Sequence, residues 1–421
     1  MELKLAARVA AIKPSATMAV TAKAKELQAA GRKVIGLGAG EPDFDTPQHI
    51  KDAAKRAIDN GFTKYTAVEG TPELRQAISA KFARENGLSY QQAQILVSSG
   101  GKQSFYNLAQ VLLEEGDEVI IPAPYWVSYP DIVLLAGATP VALDTNLDSH
   151  FKITPAQLEA AITPRTRLLV LNSPSNPTGS VYSEAELKAL ADVLLRHPQV
   201  WIASDDMYEH IRWDGTQFKN IVNACPELYE RTMVLNGVSK AYSMTGWRIG
   251  YAAGDARVIS EMAKIQSQST SNPCSISQVA TVAALQGDQS FIQDMNTAFK
   301  QRHDFVVAAL NDIRGIRCAP ADGAFYCFFS VEGAIANTPG VKDDVELAAW
   351  LMEKAEVALV PGSAFGAPGY LRLSFATSME NLQEAMRRLK VALGCRRAGG
   401  FAARAPLPQE HRSQRVSLGR R

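Results

Sequence analysis

The 421-residue sequence predicts an α/β fold: a large domain with a mainly parallel sheet flanked by helices, plus a smaller α+β domain. Three observations predict it. Capped helical segments alternate with short apolar runs up to about residue 295. Those runs are continuously apolar rather than alternating, as expected of strands buried on both faces. Beyond residue 295 the pattern changes to a long helical stretch, then a mixture of strands and helices with a smaller sheet.

Each element has a local reason. In "FDTPQHIKDAAKRAIDNG", Thr46 is placed to cap a helix, Pro47 to occupy its first position and Gly61 to lie just past its end. "GTPELRQAISAKFARENG" repeats the plan with Thr71, Pro72 and Gly87. The runs "ILV" (95–97) and "EVII" (118–121) follow as strands. Thr154 with Gln157, and Ser183 with Glu186, form capping boxes at two further helix starts. Between and after them come the strand runs "RLLVL" (167–171), "VWIA" (200–203) and "TMVL" (232–235). The second unit starts with the helical "NTAFKQRHDFVVAALNDI" and continues with strand-like "GAFYCFF" and a helix near 344–355. It ends with "VALVPG", "YLRLSFA" and a helix running to Gly394. The expected division is a large domain at 48–294, a small domain made of 1–47 and 295–394, and a tail at 395–421.

Composition excludes several functions. The chain is 46% hydrophobic, enough for two cores, and its net charge is +1. That near-neutrality conceals a split, because Cys395–Arg421 holds seven arginines and one glutamate, leaving a net acidic body. The tail has no apolar periodicity and is expected to be disordered, with neither nucleic acid nor membrane as its partner. Five cysteines without CxxC spacing read as reduced thiols, and six histidines without an HExxH arrangement give no metal site. No early run suits a signal peptide and none suits a membrane span, so a cytoplasmic protein is expected.

Parallel sheets place ligands at the carboxyl ends of their strands. Here four runs end in "SSGGKQ", "NSPSNPTG", "SDDMY" and "NGVSK", delivering small, amide, acidic and lysine side chains towards one crevice. "SSGGKQ" entering a helix suits a phosphate, and Arg248 suits a second contact to it. Asp205, closing an apolar strand, is costly to bury unless paired with a cation, and a protonated pyridine nitrogen would be such a partner. Tyr208 and Asn176 are then available to a ring oxygen. Lys240, made less basic by burial and nearby cations, is suited to form a Schiff base with an aldehyde and then to act as general base. Each residue alone has a plainer reading: a turn glycine, a structural arginine, a capping aspartate, a packed tyrosine, a solvated lysine.

Eight motifs in order shift the balance: "AGEPDFDTP" (39–47), "KYTAVEGTPELR" (64–75), "SGGKQ" (99–103), "PAPYWVSYP" (122–130), "NSPSNPTG" (172–179), "SDDMYEH" (204–210), "SKAYSMTGWRIGY" (239–251) and "YLRLSFA" (370–376). Over residues 1–394 the chain resembles the class I aminotransferases, pyridoxal 5'-phosphate enzymes of fold type I. The resemblance implies that Lys240 is the cofactor lysine and Asp205 the partner of the ring nitrogen. It implies Tyr208 and Asn176 at the ring oxygen, Trp126 stacked on the ring, and Gly101, Lys102 and Arg248 around the phosphate. Tyr65 from a partner subunit would join them, so a homodimer with shared active sites is implied. Arg372 would clamp the substrate α-carboxylate, with Asn176 and the backbone of Gly40. One departure is Gly237, where some members carry a phosphate-binding serine; Ser239 is the substitute.

The substrate expectation follows the same resemblance. The best-known aspartate enzymes use a partner arginine before "SNP", but "KIQSQSTSNP" has Ser267 near that place. "IKPSAT" (12–17) and "SGGKQ" instead resemble a bacterial subgroup that handles aspartate and, in some members, prephenate. There Lys102, assisted by Lys13, would meet the distal carboxylate. The expected reaction is L-aspartate + 2-oxoglutarate to oxaloacetate + L-glutamate, by a ping-pong mechanism. Within the fold the rivals are an aromatic or alanine aminotransferase and a carbon–sulfur lyase. A ligand-binding regulator is disfavoured because no helix-turn-helix pattern is present.

Overall fold

The structure, a computed structural model, describes residues 4–213 and 215–395. The tail expected at 395–421 therefore lies outside the described residues except for Cys395, which forms an antiparallel bridge with Ile313.

Strands in chain order are β1 (Ile35–Gly36), β2 (Ile95–Ser98), β3 (Glu118–Ala123), β4 (Thr139–Asp144), β5 (Thr166–Asn172), β6 (Trp201–Asp205), β7 (Thr232–Gly237), β8 (Gly250–Ala253), β9 (Tyr326–Ser330), β10 (Val357–Ala358), β11 (Val360–Pro361) and β12 (Tyr370–Ser374). A seven-stranded sheet runs in the order β2-β8-β7-β6-β5-β3-β4, with β8 antiparallel to both neighbours and the other pairs parallel. The five apolar runs all lie within this sheet. Successive residues of one strand feed opposite faces, as strand geometry requires. Leu169, Ile202 and Val234 join the core on one side, and Leu168, Ala203 and Met233 the core on the other.

Two strands of this sheet gave no signal beforehand. β4 is an edge strand containing Pro140, tolerable there because its outer side needs no ladder donor. β8, "GYAA", lacks β-branched residues yet is fully buried, because Gly250 lets β8 lie against the turn at Gly100–Gly101. A Cβ at Gly250 would stand 2.3 Å from Gly101 N.

Most helix ends follow the local signals. Thr71 accepts from Leu74 N, and both capping boxes form. Thr46 departs: the helix Gln48–Asp59 has Pro47 at its N-cap, and the Thr46 hydroxyl donates to Ser243 O at 2.6 Å while accepting from Trp247 Nε1. A tertiary acceptor outcompetes the helix end, and the bond ties this helix to the loop that follows Lys240.

A second sheet, β11-β12-β9, is antiparallel, and β1 pairs in parallel with β10, joining the N-terminal segment to the C-terminal unit. Phe329, Leu371 and Leu373 pack there with Val306 and Leu310 of the long helix Ser290–Asn311. Among the described residues no helix is long and apolar enough to cross a membrane.

Candidate active site

The carboxyl ends of β5, β6 and β7 open into a cleft of about 520 Å³ that is lined also by residues of the N-terminal segment, β9 and β12. Lys240 lies in the loop after β7. Its Nζ donates to Gly40 O at 2.6 Å and stands 5.8 Å from the Tyr208 ring. Burial, then the Arg372 charge, brings its pKa down to about 8, with Glu41 and Asp205 partly opposing. The parallel register sets Asp205 beside Asn172 and Leu235, so β5, β6 and β7 end together.

Asp205 is held by two donors: Tyr129 OH to Oδ2 at 2.5 Å and Met207 N to Oδ1 at 3.2 Å. Burial raises its pKa, against these donors and the Lys240 charge. Tyr129, within "PAPYWVSYP", was not singled out from sequence. Its place in a helix starting at Ser128 gave no hint that its hydroxyl reaches a strand end 76 residues away.

Around the helix Gly101–Leu112, the "SSGGKQ" turn forms with Gly100 at φ 90°, a conformation that favours glycine. Arg248 packs so closely over Gly100 that a Cβ would fall 2.2 Å from Nη2. Its guanidinium donates to Thr245 O and Ser99 O, tying it to the turn while leaving it exposed. A side chain at Gly237 would be crowded, since a Cβ would stand 3.0 Å from Gly250 Cα and Ile249 O. That close strand contact gives the missing serine a packing reason; buried Ser239 lines the cleft instead. Lys102 lines the cleft with Nζ 5.3 Å from the Trp126 ring, its pKa lowered by burial and then by Arg248.

Arg372 comes from β12 on the other side. It is 2% exposed, and donates from Nη1 to Asn176 Oδ1 at 2.9 Å and from Nη2 to Gly38 O at 2.6 Å. Its Nε is buried without a partner among the described residues. A buried guanidinium with no carboxylate and an unused N–H is costly unless a ligand carboxylate completes it.

Thus Gly40, Gly101, Lys102, Trp126, Asn176, Asp205, Tyr208, Ser239, Lys240, Arg248 and Arg372 line one cleft. Two candidates do not. Lys13 is exposed and outside the cleft lining, where Ser15, Thr17 and Thr21 of the same segment appear. Tyr65 is 92% exposed, away from the cleft of its own chain. The cleft also contains Tyr326 of β9 and Glu41, neither signalled by the sequence.

Comparison with known proteins extends this geometry. Residues 32–389 match the family model for aminotransferase class I and II. An aspartate/prephenate aminotransferase of Nitrosomonas europaea is 62% identical over 392 residues, 92% of this chain and 99% of that protein. An aspartate aminotransferase of Geobacillus stearothermophilus is 53% identical, over 92% and 98% of the two chains. Among solved structures, aspartate aminotransferase from Rhizobium meliloti superposes with a TM-score of 0.90 at 50% identity, covering 93% of this chain and 99% of that one. The Thermus thermophilus enzyme with maleate gives 0.88 at 44% identity, covering 93% and 100%.

Proposed function

The chain belongs to the class I and II aminotransferases, and we propose that it exchanges the amino group of L-aspartate with 2-oxoglutarate, yielding oxaloacetate and L-glutamate, and accepts prephenate as well. The observation that carries this reading is the convergence of Lys240, Asp205 and the incompletely partnered Arg372 in one cleft. The relatives named aspartate/prephenate aminotransferase support the substrate pair, as does the maleate, a four-carbon dicarboxylate, in the Thermus structure.

The cleft fits pyridoxal 5'-phosphate. Asp205 is a half-buried carboxylate with two neutral donors and no direct ion pair among the described residues, a natural partner for a protonated ring nitrogen. Arg248 crowds Gly100 and Met207 crowds Gly101, and the N-terminus of the helix Gly101–Leu112 that starts there is available to a phosphate. When bound, this cofactor supplies an aldehyde for the substrate amine and a ring that draws off the electrons left when the Cα–H bond breaks.

The residues would then act as follows. Arg372 binds the α-carboxylate, its two terminal nitrogens oriented by Asn176 and Gly38. Lys102 meets the distal carboxylate. Trp126 covers the ring, and Tyr208 and Asn176 donate to its oxygen. Tyr129 and Met207 N hold the Asp205 carboxylate, which would pair with the ring nitrogen. Lys240 Nζ, its pKa brought down to about 8, would be the base that takes the substrate Cα proton in one half-reaction and gives it back to Cα in the other. Shared sites require two copies, with Tyr65 reaching the partner's phosphate.

Borohydride should fix the cofactor to the peptide carrying Lys240, and Lys240→Ala should abolish turnover. Steady-state rates with aspartate, prephenate, phenylalanine and alanine should favour the first two. A colourless reconstituted protein, label on another peptide, or a preference for alanine would overturn the proposal.

A further inference from the structure

Tyr326 takes part in two contacts that the reaction scheme leaves unused. Its hydroxyl lies 2.8 Å from the Tyr208 hydroxyl, and its ring centroid lies 4.6 Å from the Arg372 guanidinium carbon. Phe365 supplies a second ring to that guanidinium at 4.9 Å. Tyr326 is wholly buried in β9, where Phe328 pairs with Arg372 and Tyr326 with Ser374, so its ring is the diagonal neighbour of the arginine. The same residue therefore touches the side chain read as the carboxylate clamp and the one read as the ring-oxygen donor.

We propose that Tyr326 is a positioning residue that couples these two groups: its hydroxyl strengthens Tyr208 as a donor to the cofactor's ring oxygen, and its ring orients Arg372 for the substrate carboxylate. This rests on the functional reading above. A phenol has one proton and two acceptor sites. When Tyr208 commits its proton to the ring oxygen, it can bond Tyr326 only as acceptor, so Tyr326 donates. A donor that also accepts is polarised and donates more strongly, by roughly 10–30% per bond. Burial raises the pKa of both hydroxyls, so each keeps its proton at neutral pH. The ring contributes separately, because a cation over an aromatic face is held by electrostatics that an aliphatic side chain lacks.

Two variants separate the effects. Tyr326→Phe removes the hydroxyl and keeps the ring. With a weaker Tyr208 donor, the negative charge on the ring oxygen is less stabilised and the Lys240 nitrogen holds its proton to higher pH. The midpoint of the pH-dependent visible absorbance should therefore move up, by roughly a quarter to half a pH unit, while succinate affinity changes less than about twofold. Tyr326→Leu should show the same midpoint shift and also weaken succinate, by roughly fivefold. An unchanged midpoint in Tyr326→Phe, in a wild-type protein whose absorbance does titrate, overturns the hydroxyl role. Equal loss of succinate affinity in both variants overturns the ring role. A wild-type protein with no visible band overturns the functional reading itself, and this inference with it.

Discussion

The Lys240 amine is held near pKa 8, so at pH 7 roughly one molecule in ten has it neutral, against fewer than one in a thousand for an ordinary lysine. Lowering the pKa of an amine increases its neutral, nucleophilic fraction as pH rises. Cofactor uptake by the emptied protein should therefore accelerate about tenfold from pH 6 to 7 and level off above about 8. Stopped-flow absorbance measures this, and a flat profile over that range would contradict the assigned environment. Lys102 makes the second residue-scale case. It is exposed beside Trp126 in the cleft lining and forms no ion pair among the described residues, as suits a cation awaiting an anionic ligand. A charge-assisted hydrogen bond is worth about 1.5–3 kcal/mol. Lys102→Ala should accordingly raise the KM for aspartate roughly 10- to 100-fold and leave a monocarboxylic amino acid almost unaffected. Equal effects on both would remove Lys102 from substrate selection.

Secondary-structure elements are fastened around the cleft by a buried ionic cluster. Lys81, at the end of the helix Pro72–Lys81, is completely buried and contacts Glu209, just beyond Tyr208. Asn86 donates to Glu209 Oε2 and Asn236 of β7 to Oε1, at 2.6 and 2.7 Å. Glu85, Glu209 and His210 come close enough to hold a metal ion, but the Lys81 ammonium already stands among them, 3.6 Å from Glu85. Burial pushes the Glu209 pKa up, and Lys81 and His210 more than reverse this, leaving it below the ordinary value of 4.5. The sign follows: this stabilisation is complete above pH 4.5 and fades as pH falls through the folded pKa. Lys81→Met strands a buried carboxylate and should cost about 3–5 kcal/mol in urea denaturation, with part recovered in Lys81→Met/Glu209→Gln. A single-variant cost below about 1 kcal/mol would mean that water reaches Glu209.

For the whole molecule, the exposed aromatic and aliphatic side chains of one segment matter most. Ile58, Phe62 and Tyr65 are 52, 41 and 92% exposed, on and just after the helix Gln48–Asp59. Large apolar groups concentrated on a surface mark contact with another chain, and Tyr65 has no role in its own cleft. Ile58→Asp with Phe62→Asp should yield monomers by sedimentation velocity and reduce turnover by more than tenfold. A fully active monomer would contradict the shared-site arrangement.

How much of this was legible beforehand depends on the range of the interaction. Continuous apolar runs marked β2, β3, β5, β6 and β7, and Thr71, Thr154 and Ser183 marked helix starts, because periodicity and capping act within a few residues. Residue chemistry at the strand ends also singled out Lys240, Asp205 and Arg248, while Arg372 came only from the resemblance to the class I aminotransferases. β8 escaped because its burial comes from Gly250 meeting Gly101, and Thr46 because its hydroxyl prefers Ser243 O. Local sequence thus determined the repertoire of elements and the kinds of side chain available at their ends. Only the tertiary structure decided which groups meet: Tyr129 with Asp205, Tyr326 with Tyr208, and Arg372 with Gly38, 334 residues apart. Such partners are selected by how the two sheets close over a shared cleft, and no short-range preference encodes that closure.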